Sequence, residues 1–310
     1  MELGIIALNQ IVSMFIIIFV GAVCYKVGMI DKNGNKVLSA IVLNVVNAAL
    51  IFNSYQKEFD KSLAMGLLYT VILCAVSYII AIPVSYAIIG RKNNDYFNIE
   101  RVSTIYSNCG FMGIPLINAV LGDAGVFFAS VYVTVFNIML WTNGLMIMTG
   151  KTEIKGMAKS LITPCLIAVV VGLLCFFANI RVSQNVYNAI GFIADMNTPL
   201  AMLVAGVTIA QTNLLKAFTN LRIYFISFVK LILIPMLVVL SFYLFKNVVE
   251  YNIIMTVIIA TACPTAASGF LFAIRFGGNE LYASEIFGVT TLLSAVTLPL
   301  IITFADLLLF

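Results

Sequence analysis

Two stretches of this 310-residue chain place helix-breaking residues inside long apolar segments. The first reads Asn-Cys-Gly-Phe-Met-Gly-Ile-Pro at 108–115, and the second reads Cys-Pro-Thr-Ala-Ala-Ser-Gly at 263–269. At membrane depth, such a break survives only where protein or a polar cavity surrounds the freed backbone groups. Two broken spans at corresponding positions of two halves are typical of a transporter's binding site.

The chemistry that a broken helix offers is anion binding. Its second half begins with unsatisfied N–H groups and the positive end of a dipole. Pro115 suits the first turn of such a half-helix, and the glycines beside it allow close approach to a ligand. Pro264 is expected to begin the other half, with hydroxyls from Thr265 and Ser268. The alternative is a pair of ordinary kinks. The expected substrate-binding residues are Asn108, Cys109, Gly110, Gly113, Ile114, Pro115, Cys263, Pro264, Thr265 and Ser268.

Four ionisable side chains fall within predicted spans, where a charge is costly unless it is paired or hydrated. Glu285 and Asp306 lie near the ends of the last span, where interfacial water is sufficient. Lys230 lies deeper and could contact substrate, although its stem could also reach the interface. Asp195 is the best candidate for a coupling carboxylate, or else a hydrogen-bonded anchor.

Asparagines add further polar groups inside the predicted spans. Asn44 and Asn47 are three residues apart and are therefore expected on one helical face. With Thr198 in the seventh span, they either pack between helices or line a cavity. Asn137 and Asn143 are expected to bond between helices. The expected coupling or cavity-lining residues are Asp195, Thr198, Lys230, Asn44 and Asn47.

Long apolar helices must position these residues. The chain is 62% hydrophobic and 10% charged, with a mean hydropathy of +1.09, which indicates an integral membrane protein. Its apolar runs exceed about 18 residues without alternating, which favours helices over a barrel. The tight loop at 122–125 predicts that spans four and five are antiparallel neighbours. Ten spans are predicted at 5–27, 36–56, 63–90, 101–121, 124–149, 158–179, 187–211, 222–246, 252–275 and 283–308.

Five spans per half is an odd number, so homologous halves must be inverted relative to each other. Three matches at offsets of 151, 152 and 149 residues favour that arrangement: 20–24 with 171–175, Pro83 with Pro235, and Pro115 with Pro264.

The basic residues predict the orientation, since positive loops face the cytoplasm. One side holds Lys26, Lys32, Lys36, Arg91, Lys92, Arg101, Lys151, Lys155, Lys159, Lys216, Arg222 and Arg275; the other holds Lys57, Lys61, Arg181 and Lys246. Both termini are therefore expected outside the cytoplasm, in a multi-pass protein of the cell membrane. The first apolar run is interpreted as a retained span rather than a signal peptide. The basic residues are spread over many loops and do not form one patch, so the sequence predicts no nucleic-acid partner.

The residue types present in the chain disfavour enzymatic catalysis, disulfide bonds and metal binding. The chain has no histidine, and its six cysteines fall within predicted spans without a CxxC pair. The HExxH, GxGD and GxSxG patterns are absent. We therefore expect no enzyme activity, no metal site and no cofactor, beyond H⁺ or Na⁺ as coupling ions. A channel or an uncoupled uniporter stays open as the alternative to a coupled carrier.

The segments at 108–115, 198–206, 262–268 and 289–299 together resemble the auxin efflux carrier family. That family includes the plant PIN exporters and bacterial malate or malonate permease-like proteins, and it is related to the bile acid–sodium symporter-type fold. The resemblance covers essentially the whole chain. Where many members carry proline in span two, this chain has Asn47 followed by two alanines, so the kink there is expected to be absent.

The resemblance implies an all-α integral membrane protein with ten transmembrane helices in two inverted repeats of five, whose broken helices four and nine cross at their prolines. It implies secondary transport of a small organic anion by elevator-type movement across the lipid bilayer. A scaffold (1–56 and 150–211) would hold a mobile transport part (57–149 and 212–310), and the scaffold helices would form a homodimer.

Overall fold

The computed structural model describes residues 2–90, 96–150, 163–212, 217–276 and 278–310, which form helices, the turns and loops between them, and one isolated β-bridge. The helices are α1 (Glu2–Lys26), α2 (Lys32–Ile41), α3 (Asn47–Ser54), α4 (Lys61–Ile88), α5 (Phe97–Ile105), α6 (Ile114–Met139), α7 (Leu145–Thr149), α8 (Pro164–Phe177), α9 (Gln184–Ala194), α10 (Asn197–Ala210), α11 (Leu221–Phe228), α12 (Ile234–Phe242), α13 (Tyr251–Ala262), α14 (Ala267–Arg275) and α15 (Glu280–Leu309).

Seven helical stretches in the described residues are long and apolar enough to cross a membrane. They are Gly4–Lys26, Lys32–Ser54, Lys61–Ile88, Cys109–Thr149, Gln184–Ala210, Leu221–Phe242 and Glu280–Leu309. The second is continuous but contains a π-helical turn at Val42–Val46, just before Asn47. Two shorter apolar helices, α8 and α13, lie among them. The start of the predicted sixth span and the basic residues at 91, 92, 151, 155, 159 and 216 lie outside the described residues.

The stretch from Cys109 to Thr149 reverses direction at Gly122, whose φ of 63° and ψ of −159° are not helical. Beyond the reversal, Gly125 packs against Leu121 and Ile117. Further on, the carbonyl of Met139 accepts a 2.8 Å hydrogen bond from the Tyr106 hydroxyl. The chain therefore returns alongside itself, as the tight loop predicts.

Four wide π-helical turns interrupt the helices, at Val42–Val46, Cys109–Gly113, Leu140–Gly144 and Val229–Leu233. Two of them directly precede a helix with proline at its second position, Pro115 or Pro235. Proline lacks an N–H and its ring crowds the carbonyl four residues earlier, so a wider turn relieves both problems. These turns change which way later side chains face.

Helices α1 and α10 pack closely because glycine lies at both contact points. A β-carbon on Gly206 would overlap the carbonyl oxygen of Ile18, and one on Gly21 would overlap that of Leu203. Small residues permit such backbone contact between helices in a membrane. The polypeptide therefore tolerates no side chain at either position.

We expect Gly206→Ala to destabilise the protein by about 1–3 kcal/mol or more, because the helices must separate to admit the methyl group. Thermal unfolding in detergent measures the loss. Gly191→Ala is the matched control, since the nearest atom to its new β-carbon lies 4.0 Å away. Equal melting temperatures for the two variants would show that the α1–α10 contact is loosely packed.

Candidate functional site

The two breaks predicted from the sequence cross each other. Helix α5 ends at Ile105 and the chain becomes helical again at Cys109, while α13 ends at Ala262 and α14 begins at Ala267. Between these ends the chain is non-helical. Ser107 and Thr265 pair as an antiparallel β-bridge. The N–H of Asn108 donates to the carbonyl of Pro264 at 2.7 Å, and that of Ala266 to the carbonyl of Tyr106 at 2.9 Å. Each break thus satisfies backbone groups that the other frees.

The prediction that a proline lies in the first turn of each half-helix holds for Pro115, the second residue of α6, but is wrong for Pro264. In the first break the helix restarts at Cys109, and Met112 and Gly113 already donate to the carbonyl of Asn108. Pro115 is buried inside that helix, so the N–H groups after it are used by helical bonds. In the second break Pro264 lies in the non-helical segment, ahead of the start of α14. The free N–H groups therefore lie elsewhere.

The uncommitted donors lie at the first turns of the two half-helices. The N–H groups of Gly110 and Phe111 precede the first helical bonds of their segment, as do those of Ala267 and Ser268. The residues at the two N-cap positions, Asn108 and Ala266, form no side-chain capping bond. Both helix ends are therefore open to an anionic ligand.

Unpartnered polar side chains accompany these helix ends. Among the described residues, Nδ2 of Asn108 is buried without a hydrogen-bond partner, and so is Oγ of Ser268 in the first turn of α14. Oγ of Ser103 is a third such atom, and a β-carbon on Gly269 would lie 3.8 Å from it. Buried polar groups are rarely left unpaired, so each calls for a ligand or a water molecule. Thr265 differs, because its hydroxyl donates to the carbonyl of Ser103 at 2.9 Å.

The two glycines of the first break have different surroundings. Gly110 is half-buried, and its β-carbon would lie 3.7 Å from Nδ2 of Asn47. Gly113 is buried, with Sγ of Cys263 3.4 Å from its β-carbon position and Cα of Ala260 3.9 Å from it. Gly113 thus permits close packing of two helices, whereas the sequence predicted that it admits a ligand. Ile114 is likewise a buried core residue beside it.

An amide pair from other helices faces the first half-helix. Nδ2 of Asn197 donates to Oδ1 of Asn47, and Oδ1 of Asn197 is buried with no partner in the part of the chain that the structure describes. Asn44 does not share this face, contrary to the prediction. It is exposed and bonds back to the carbonyl of Ala40 at 2.9 Å. The wide turn at Val42–Val46 breaks the three-residue spacing on which that prediction depended.

Lys230 reaches the crossing rather than the interface. It is 0% exposed. Its Nζ donates to Oγ of Ser107 at 2.5 Å and lies 3.4 Å from the carbonyl oxygen of Thr261. Ser107 belongs to one break, and Thr261 lies in the last turn of α13, the helix that leads into the other. Of the ionisable residues predicted within spans, Lys230 thus lies at the site.

Asp195 and Thr198 lie apart from these bonds. Asp195 follows the end of α9 and is exposed, and no hydrogen bond or ion pair joins it to the crossing in the described part of the chain. Thr198 lies half-buried in the first turn of α10. Of the two asparagines of span five, Asn143 accepts from Tyr106 at 2.9 Å as predicted. Asn137 instead bonds to Val133 within its own helix, contrary to the prediction.

A buried carboxylate near the crossing was missed by the sequence-based search. Glu100 is 1% exposed and accepts two hydrogen bonds from Arg222, at 2.9 and 2.7 Å, and a third from the Tyr282 hydroxyl at 2.8 Å. The prediction began span four at residue 101, which put Glu100 in a loop. A signal was available in the sequence. Glu100 lies in the first turn of one apolar segment, and Arg222 and Tyr282 lie at the starts of two others, so the three could meet at one side of the membrane.

We expect Glu100→Gln to destabilise the protein by about 1–3 kcal/mol, because it leaves Arg222 without its bidentate partner. The lower part of the range reflects the 41% exposure of the Arg222 side chain. Glu58→Gln is the matched control, since its pair with Arg181 is exposed at both ends. A melting temperature that falls equally in both variants, measured in detergent, would contradict a special role for the buried pair.

Comparison with known proteins places this chain among membrane transport proteins. A family model described as "Membrane transport protein" matches residues 6–156 and 148–302. An "Uncharacterized transporter" from Methanothermobacter thermautotrophicus is 22% identical over 298 residues, which are 94% of this chain and 96% of that protein.

Proposed function

This chain belongs to the membrane transport protein family, which is the auxin efflux carrier family, and on that basis we propose that it is a secondary transporter of a small organic anion. The substrate carboxylate lies at the crossing of the two breaks. It accepts hydrogen bonds from the N–H groups at the starts of the two half-helices and from the side-chain amide of Asn108.

The observation that carries this proposal is the buried, unpartnered Nδ2 of Asn108 beside an uncapped helix start. Leaving a buried donor unpaired costs about 1–3 kcal/mol. A carboxylate supplies the missing acceptor, and the helix dipole adds favourable charge interaction. Lys230 places a positive charge behind the same crossing, which also favours a bound anion.

The distribution of interhelical polar contacts supports an elevator mechanism. One set of bonds joins α2 and α3 to α10, through Asn35–Thr208 at 3.0 Å and the Asn47–Asn197 pair. A second set joins α4, α5, α11, α13 and α15, and includes the Glu100 cluster and the Lys230 contacts. Polar contacts between the two parts include Tyr55 with Ser130, Phe59 with Asn179, and the exposed ion pair of Glu58 with Arg181. Two internally bonded bodies with a mainly apolar interface can slide past each other.

We assign the first set to a scaffold (1–56 and 150–211) and the second to a mobile part (57–149 and 212–310). Ten crossings in two inverted repeats fit this division. The reversal at Gly122 makes two crossings from Cys109–Thr149, with α5 extending the first of them. The α13–α14 pair forms another broken crossing, and α8 completes the ten together with the remaining helices.

A channel is the alternative function. A carrier is favoured because the candidate site lies at a crossing of two buried breaks that bond to each other. Transporters are also what the family comprises, which favours transport over catalysis.

The proposed function is tested by thermal unfolding of the purified protein with acetate, malonate, malate or indole-3-acetate, followed by counterflow in liposomes. We expect at least one acid to raise the melting temperature, because ligands that bind only the folded state stabilise it. That acid should then be taken up faster by liposomes preloaded with it, which is the behaviour of a carrier. Uptake that is neither saturable nor stimulated from the opposite side would favour a channel instead.

The proposed orientation places both termini outside the cytoplasm. Asn33→Cys, in the exposed turn at the start of α2, should react with an impermeant thiol reagent only from the cytoplasmic side. Glu58→Cys, in the exposed loop before α4, should react only from outside. The opposite labelling pattern in intact cells and inverted vesicles would reverse the orientation.

A further inference from the structure

Arg101, in helix α5, is a buried cation at the end of the proposed mobile part that faces the cytoplasm in the proposed orientation. The residue is 6% exposed. Its Nε and Nη2 donate to the carbonyl of Ile89, which follows α4, at 3.0 and 2.7 Å. The guanidinium carbon lies 4.1 Å from the ring centre of Tyr86 and 5.3 Å from that of Phe97. Contact with two aromatic rings holds the planar group in one orientation.

This cation lacks a counter-ion of full charge. In the described part of the chain no carboxylate pairs with Arg101, and the adjacent Glu100 is bonded to Arg222 and Tyr282 instead. The carbonyl end of α4 opposes the positive charge, but a helix end supplies only about half an elementary charge. A guanidinium also has more N–H donors than one carbonyl can use, and neither N–H of Nη1 donates to a described residue. Buried donors and buried charge of this kind call for an anionic partner.

Arg101 lines a cavity of about 440 Å³ between the ends of α4, α5 and α7. Among the described residues that line it, Arg101 has the sole charged side chain, and Asn98 adds an amide. Cavities of about 300–1,000 Å³ with apolar walls and a few polar groups are typical of small-molecule sites. None of the described lining residues belongs to either break, so this cavity is distinct from the crossing. Its apolar surface comes from Tyr86, Phe97, Met146 and Met148.

We propose that this cavity is a second anion site, which binds a monocarboxylate with a flat apolar body, such as an aryl carboxylate, from the cytoplasm. The N–H groups of Arg101 that do not face Ile89 form a fork that matches a planar carboxylate through two parallel hydrogen bonds. The aromatic and methionine side chains then bury the apolar body of the acid. The inference goes beyond the proposed function, because the helices around the cavity all belong to the proposed mobile part and an acid bound there travels with it.

The test measures binding of 2-naphthoate to the purified protein by equilibrium dialysis. Asn108→Ala, which lacks the side-chain donor at the crossing, serves as the background, so that binding at the crossing is separated from binding at the cavity. We expect this variant to retain naphthoate binding. The neutral analogue naphthalene-2-methanol and the small acid acetate should each fail to displace naphthoate at equal concentration, because the first lacks the carboxylate and the second lacks the apolar body.

Two substitutions in the cavity wall should each weaken this binding. Asn98→Asp should lower the affinity for naphthoate at least about tenfold, because it places a like charge beside the carboxylate. It should fold normally, since an acidic residue is favourable in the first turn of a helix. Arg101→Gln should lower the affinity about ten- to a hundredfold, because it removes the charged fork. Asn33→Asp is the matched control and should bind as the unchanged chain does, since Asn33 is likewise the second residue of a helix and lies exposed at the start of α2.

Unchanged naphthoate affinity in folded Asn98→Asp would overturn the inference, and this variant decides by itself if Arg101→Gln does not fold. Displacement of naphthoate by phosphatidylglycerol added to the detergent micelles would also overturn it, since the cavity would then hold a lipid headgroup. If the protein binds no naphthoate at all, the second site fails, while the thermal shifts with the smaller acids still test the crossing and the proposed function independently.

Discussion

Replacement of Asn108 by alanine should lower the affinity for the transported anion about ten- to a hundredfold, which corresponds to roughly 1.5–3 kcal/mol for one hydrogen bond to a charged group. The same change should leave stability unchanged or slightly raised, since Nδ2 of Asn108 has no partner within the described residues and its main-chain bond to Pro264 remains. Thermal shift titration with the bound acid measures both quantities in one experiment.

Asn137→Ala is the matched control for this variant, because that amide bonds only within its own helix in the described contacts. Asn108→Asp should be more severe than alanine, since it places a negative charge where the substrate carboxylate binds. Wild-type affinity in Asn108→Ala, or a bound anion located away from both breaks, would contradict the proposed site.

Linking α1 to α15 by a disulfide should abolish transport completely, because α1 belongs to the proposed scaffold and α15 to the proposed mobile part. A β-carbon on Gly4 would lie 3.5 Å from Cβ of Thr303, which is within the range of about 3.5–4.5 Å for disulfide-bonded cysteines. We expect Gly4→Cys/Thr303→Cys to lose counterflow on oxidation and to regain it on reduction.

The single variants Gly4→Cys and Thr303→Cys control for the substitutions themselves. Loss of thiol labelling at the introduced cysteines confirms that the disulfide has formed. Native cysteines contribute a background to this labelling, because Cys24 and Cys175 are partly exposed, whereas the other four native thiols are buried. Continued transport by the fully oxidised double variant would rule out sliding at this interface.

The sequence by itself determined the class of protein and the positions of the breaks. Apolar runs that are long enough to span a bilayer admit few folds, since every backbone group in lipid must be satisfied internally. Proline and glycine act on their own segment of backbone, so residues 108–115 and 263–269 could be recognised as interruptions without knowledge of their neighbours. The reversal at Gly122 was predictable for the same reason.

The direction in which side chains face could not be predicted in the same way. Asn44 and Asn47 were expected on one face, but the wide turn at Val42–Val46 separates them. Pro264 was expected to begin a half-helix, whereas α14 starts at Ala267. Pro115 does lie in the first turn of α6, but a π-helical turn that starts at Cys109 precedes it. A helix that is displaced or widened by one residue rotates everything after it by a large angle, and that displacement depends on packing against other helices.

Partners distant in the chain were decided only by the tertiary structure. Glu100 is 122 residues from Arg222 and 182 residues from Tyr282, and no local pattern predicts that the three side chains meet. Lys230 could have reached the interface along its flexible stem. It lies at the crossing because the oxygen atoms of Ser107 and Thr261 are brought together there by two different segments of the chain, and a buried ammonium is stable only where such atoms converge.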